Sequence, residues 1–115
     1  MKSVDDPEIQ EWLATDWDGT LQWDSGNTEK LAKHNASVEV IEEFFEGDFV
    51  FVGRLEETQN LVWKEKRYAV FGETLSGRLM TIVWTVRDSS IRPISCRSMR
   101  PNEEREYNNR RRTKV

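Results

Sequence analysis

Cysteine occurs once, at Cys96, and histidine once, at His34. A lone cysteine closes no internal disulfide, which suits a reducing compartment. One His and one Cys at this separation match no structural zinc pattern. Carboxylates are plentiful, but the nearest thing to a ligand cluster is Asp16-Trp17-Asp18, at a turn signal. No metal and no cofactor is therefore expected. The six glycines form no phosphate-cradling loop. No apolar run approaches the roughly 20 residues of a membrane span. The opening MKSVDDPEIQ is acidic where an export signal is basic and then apolar. These absences lead to the expectation of a cytoplasmic protein with no membrane partner.

What is present is one domain's worth of chain, 115 residues, with 33 % charged and 37 % hydrophobic residues. Five Trp and five Phe supply the buried area that such a polar composition otherwise lacks. The net charge of −4 hides a division. Residues 1–86 hold 8 basic and 17 acidic side chains, whereas residues 87–115 hold 9 and 4. A basic end on an acidic chain can meet nucleic acid, an acidic protein, or the molecule's own acidic half.

The first segment, DDPEIQEWLA, carries Asp5 or Asp6 as an N-cap and Pro7 at the first helical position. It reads as a short helix or a loose arm. Asp18-Gly19 signals a turn, with a short strand or hairpin expected around Thr20–Trp23. Asp24 caps a helix over Ser25–His34, which Asn35 ends in the left-handed conformation. Ser37 caps a second helix to Glu46, with Val38, Ile41, Phe44 and Phe45 on one face and Gly47 as its stop. The period then changes to two. DFVFVGR, KRYAVFGET and RLMTIVWTVRD read as strands, with a polar loop over 55–60 between the first two. SIRPISCRSM reads as a fourth, which Pro93 assigns to an edge or a bulge. A helix starting near Pro101 closes the chain and leaves a basic tail over 110–115. The fold class is α+β: two helices, an antiparallel sheet of three to four strands, and a C-terminal helix. The helices are expected on one side of the sheet, leaving the other free to bind.

Several side chains suit proton transfer and charge stabilisation. Lys33 and His34 end the first helix, Glu65 and Arg67 alternate on a strand, and Arg97 ends the last strand. Glu103 and Tyr107 share a face of the last helix. Cleavage of an RNA phosphodiester needs such a set and no metal: a base for the 2′-OH proton, an acid for the leaving 5′-oxygen, and cations for the phosphorane-like charge. Each residue has a duller account. Cations suit helix C-termini, Glu65 and Arg67 can be an exposed pair, and Tyr107 can be core. Composition and spacing reach no further than an α+β domain with a basic C-terminal region.

Four stretches add to this. WDSGN at 23–27, KHNAS at 33–37, EKRYAVFG with GRLMTIVWT over 65–85, and IRPISCRSM at 91–99 followed by Glu103 and Tyr107 occur in the order seen in one family. Over about residues 21–108 the chain resembles the BrnT ribonuclease toxins of type II toxin–antitoxin systems, which are RelE-like. The resemblance implies a toxin domain over residues 21–109, preceded by an extension over residues 1–20. It also implies an endoribonuclease that arrests growth, inhibited by a BrnA-type antitoxin that carries the operator-DNA contact of the complex. The family's polar positions fall on His34, Glu65, Arg67, Arg97 and Tyr107. Of these, His34 or Glu65 would be the proton acceptor, and Tyr107 would position substrate or donate a proton. Lys33, Arg92, Arg100 and Arg105 would bind RNA, with Arg92 and Arg100 steering either RNA or the antitoxin, while Arg110–Arg112 are expected to be solvated. Asn35 replaces the family's usual Gly, and Glu104 stands where an Arg often follows Glu103. The second departure leaves open a catalytically weak member that acts by complex formation and joint repression.

Overall fold

Five strands form one antiparallel sheet in the order β1-β2-β3-β4-β5, so each strand neighbours the next in sequence. The computed structural model describes residues 2–57 and 62–113. The elements are β1 (Ser3–Val4), α1 (Pro7–Thr15), α2 (Ser25–Ala32), α3 (Val38–Glu46), β2 (Phe49–Leu55), β3 (Tyr68–Glu73), β4 (Leu79–Arg87), β5 (Ser90–Ser98) and α4 (Pro101–Thr113). The α+β class is as expected; the sheet has one strand more, because Ser3 and Val4 pair with Leu55 and Arg54.

The helices start where the sequence signals them. Asp6, rather than Asp5, caps α1 by accepting from the Glu8 and Ile9 amides. Asp24 and Asn27 cap α2 reciprocally, each side chain accepting from the other's backbone amide. Asn35 takes φ 58°, and Ser37 then caps α3. The strand or hairpin expected around Thr20–Trp23 reduces to a single parallel bridge, Leu21 to Ile91. Thr20 and Gln22 exchange backbone bonds with Ile91 there.

The first face of the sheet packs under α1, α2 and α3. Ile41, Phe44, Met80, Ile82 and Trp84 are wholly buried in it. Trp84 is the centre of an aromatic cluster, with ring centroids of Tyr68, Phe51 and Trp12 at 4.8, 5.5 and 6.2 Å. Trp12 comes from α1, so the extension is built into this core, and Asp6 is tied to Arg54 at 3.2 Å. Gly53 admits the close approach of β1: its φ is 140°, and a Cβ there would lie 2.5 Å from the Val4 carbonyl oxygen.

The second face carries Val50, Val52, Leu55, Ala69, Phe71 and Val83. It is only partly open, because α4 turns back over β2 and β3 and inserts Tyr107, 0 % exposed, into that cluster. Helices therefore lie on both faces. Nor does α4 stop before a tail. It runs to Thr113, and Arg110 and Arg111, expected to be solvated, are docked: Arg110 on Glu106 and the Phe51 carbonyl, Arg111 on Glu73 and Asp48. Residues 58–60 of the expected polar loop and 114–115 of the expected tail lie outside the described residues.

Candidate active site

A bulge in β5 decides which cations face together. Val83 pairs with Ser95 and Trp84 with Pro93, so Ile94 is the extra residue. Arg92 and Arg97, five apart, would point to opposite faces of a regular strand. Across the bulge they pair with Thr85 and Thr81, which are four apart and share a face. Both arginines therefore stand on the second face, beyond the edge of α4. Pro93 is the residue that the bulge accommodates.

Arg67 is fixed beside them by its backbone. Its carbonyl accepts from the Leu55 amide at 2.8 Å, and the carbonyl of Lys66 accepts from the Thr85 hydroxyl at 2.8 Å. Glu65 and Arg67 are not on a strand as expected: β3 starts at Tyr68, and both precede it. Two clefts flank the Arg67 side chain, which lines each of them.

The first cleft has a volume of about 340 Å³ and is lined by His34, Trp63, Arg67, Thr81, Ser95 and Arg97, among others. His34 reaches it from the turn after α2, where its amide donates to the Leu31 carbonyl and Asn35 reverses the chain. The Arg67 guanidinium lies 5.2 Å from the centre of the Trp63 ring. Its buried Nε has no hydrogen-bond partner among the described residues. Cys96 forms part of the wall, and burial pushes its thiol up, as for a small buried cysteine.

Arg97 is not free in this cleft. Both of its terminal nitrogens donate to Glu103, one to each carboxylate oxygen, and Nη1 also donates to the Ser98 carbonyl. Glu103 accepts in addition from the Thr81 hydroxyl and the Arg100 amide. Burial works to raise the Glu103 carboxyl, but these bonds, with Arg97 foremost, outweigh it and hold the group below its ordinary range. A guanidinium has five N–H donors. Three are engaged among the described residues, which leaves two for an anion.

The second cleft, about 290 Å³, is lined by Lys30, Glu65, Arg67, Arg87 and Arg92 beside the first turn of α2. Glu65 accepts from both terminal nitrogens of Arg87, at 2.9 and 3.3 Å. Arg92 donates to Asp24 and Gln22. The Arg92 guanidinium is the foremost of the groups that hold the Asp24 carboxyl down to about 2.

Of the expected catalytic residues, the structure brings His34, Arg67 and Arg97 to one cleft and Glu65 to its neighbour. Tyr107 is elsewhere, under α4, with its hydroxyl directed at the Asp48 carbonyl at 3.3 Å and at Glu73 at 3.5 Å. Of the expected steering residues, Arg92 lines the second cleft. Lys33 is exposed beside His34, and Arg100 and Arg105 are exposed at the start of α4. The sequence reading missed Trp63, Thr81 and Ser95 in the first cleft, and Lys30 and Arg87 in the second. A Trp beside a charged run, and small hydroxyls interrupting apolar strands, were the available signals. No group of three or more His, Cys, Asp or Glu able to hold a metal ion occurs among the described residues. No helix among them is long and apolar enough to cross a membrane.

Imidazole is the side chain suited to move a proton near neutral pH, and guanidinium groups match phosphate oxygens in pairs. The first cleft holds one of the former and two of the latter. The model of a protein family described as "Ribonuclease toxin, BrnT, of type II toxin-antitoxin system" matches residues 23–103, from just before α2 into the first turn of α4. No curated protein matches the chain.

Proposed function

The chain belongs to the BrnT family of ribonuclease toxins of type II toxin–antitoxin systems, and from that premise we propose that it is an endoribonuclease acting without a metal ion. An antitoxin partner follows from the family. We assign it to the BrnA type and the toxin's site of action to the cytoplasm. The antitoxin carries the operator-DNA contact of the complex.

One observation carries the reading: His34, Arg67 and Arg97 line one cleft on the part of the sheet that α4 leaves uncovered. His34 takes the proton from the 2′-OH, and that oxygen attacks the adjacent phosphorus. The bond to the 5′-oxygen breaks, and the His34 imidazolium returns the proton to that oxygen through solvent. Tyr107 is committed to Asp48 and Glu73 and takes no part. Glu65, held by Arg87, belongs to the neighbouring cleft and does not act as base. Arg67 and Arg97 stabilise charge on the phosphorane-like state, Arg97 through the two donors that Glu103 and Ser98 leave unused. Trp63, with the Arg67 guanidinium over its ring, forms the cleft wall beside that cation.

Purified protein is expected to cut a mixed-sequence RNA in EDTA, and His34→Ala to abolish cutting. Equal cutting by both proteins would remove His34 from the mechanism.

The Arg97–Glu103 pair favours a second reading. A carboxylate already neutralises this cation, as Glu65 does Arg87. A member so arranged can work as a weak or inactive nuclease whose role is complex formation and joint repression. Failure to cut any RNA, with or without ribosomes, would select it.

A further inference from the structure

The second cleft has a charge that the cleavage reading leaves unused. Lys30, Arg67, Arg87 and Arg92 line it against the single carboxylate of Glu65. Counting Asp24, which holds Arg92 from the rim, two positive charges still exceed the negative ones, one of them Arg67, shared with the first cleft. Neither Lys30 nor Arg67 has an acidic partner among the described residues. The first turn of α2 adds little of its own, because Asp24 and Asn27 already occupy each other's amides. The positive field comes from side chains.

We propose that this cleft is a second phosphate subsite, binding the RNA phosphate next to the one that is cut. The inference rests on the ribonuclease reading for its substrate class. Three relationships support it. Arg67 is a wall of both clefts, so a strand with one phosphate between His34 and Arg97 passes its neighbour across Arg67. The β5 bulge brings Arg92 to the same face as Arg97. Glu65 clamps Arg87 in a two-point bond, which holds one side of that fork and leaves donors on the other. An acidic protein repels RNA over most of its surface, so a local cationic groove is where a polyanion settles. The single-stranded backbone fits such a groove because its charge recurs at every nucleotide. An acidic peptide carries its charge on flexible side chains and has no charged backbone of fixed spacing to span both clefts.

Two non-cleavable ligands separate the subsites: 2′-O-methyl di- and trinucleotides, with one and two phosphates. Binding is followed by NMR titration of the full chain, including the Arg67 Nε–H resonance. Wild type is expected to bind the trinucleotide at least tenfold tighter. The variant Lys30→Gln/Arg87→Gln is expected to lose about tenfold on the trinucleotide and less than twofold on the dinucleotide. Its salt dependence for the trinucleotide should flatten by about 0.7 in log–log slope for each phosphate no longer neutralised. Lys30 is exposed, so Lys30→Gln alone, expected to show part of the same selective loss, guards against misfolding of the double variant. Equal affinity of the two ligands for wild type would overturn the subsite. So would equal loss on both ligands in the variants, or no binding at all. Displacement of the trinucleotide by oligoglutamate of matched charge would overturn the RNA assignment in favour of an acidic protein segment. A wild type that cuts no RNA, yet keeps the selective loss on the trinucleotide, would remove the catalytic reading and leave the subsite standing.

Discussion

Arg97 and Glu103 meet fork to fork across the turn from β5 to α4, with both terminal nitrogens of the arginine 2.5 Å from the carboxylate oxygens. The carboxylate holds the guanidinium in place and also competes with any phosphate for it. Those two roles can be separated by mutation.

Arg97→Ala should lower the rate of RNA cleavage by about 10²-fold, the usual loss for one transition-state donor. Arg97→Lys should recover little, because an ammonium cannot present the same paired donors. Single-turnover cleavage in EDTA measures both.

Glu103→Gln keeps the side-chain shape and removes the competing charge. RNA affinity should rise several-fold while stability falls. The sign of the pH effect follows from the depressed carboxyl: its contribution is present above the ordinary carboxylate range and is lost as pH falls through the folded-state value. The acid limb of a urea-unfolding series should therefore be shallower in the variant.

Asp24 titrates at about 2, held down by Arg92 foremost. It stays ionised down to that value, so the stability it supplies should be lost between about pH 4 and pH 2. Asp24→Asn should flatten that interval. Circular dichroism during acid titration gives the comparison.

Ile9 on α1 is 5 % exposed within the core. Ile9→Ala should cost about 2–4 kcal/mol in urea unfolding, and deletion of residues 2–20 should cost more. An unchanged midpoint in both would show that α1 merely rests on the domain.

Tyr107→Phe should leave cleavage unchanged and cost about 1 kcal/mol for the lost hydroxyl bond. A 10²-fold fall in rate at unchanged stability would return this tyrosine to the chemistry.

The helix starts and the stop between them were legible because they are local: Asp24, Ser37 and Asn35 act within four residues of themselves. The alternation over Glu65 and Arg67 was misleading. Charged residues at spacing two look like a strand whether or not a partner strand exists, and β3 begins only at Tyr68. Pro93 announced a bulge, but its consequence for the faces of Arg92 and Arg97 emerges only from the register with β4. The docking of α4 was not readable from local pattern. The partners of Arg111, Glu73 and Asp48, lie 38 and 63 residues away and belong to other elements. The burial of Tyr107 was unreadable for the same reason: nothing near it in sequence reveals the cluster of Val50, Val52 and Phe71 around it.

Residues that lie before the matched stretch also decide how the sheet ends. Ser3 and Val4 pair with the last two residues of β2 on its outer edge, and Thr20–Gln22 pair with Ile91 at the start of β5 on the other. Unpaired strand edges invite other chains to add to them. Here the segments that occupy those edges leave the ribosome before the strands they cover. As each edge strand emerges its cover is already made, which shortens the interval in which neighbouring nascent chains can join sheet to sheet.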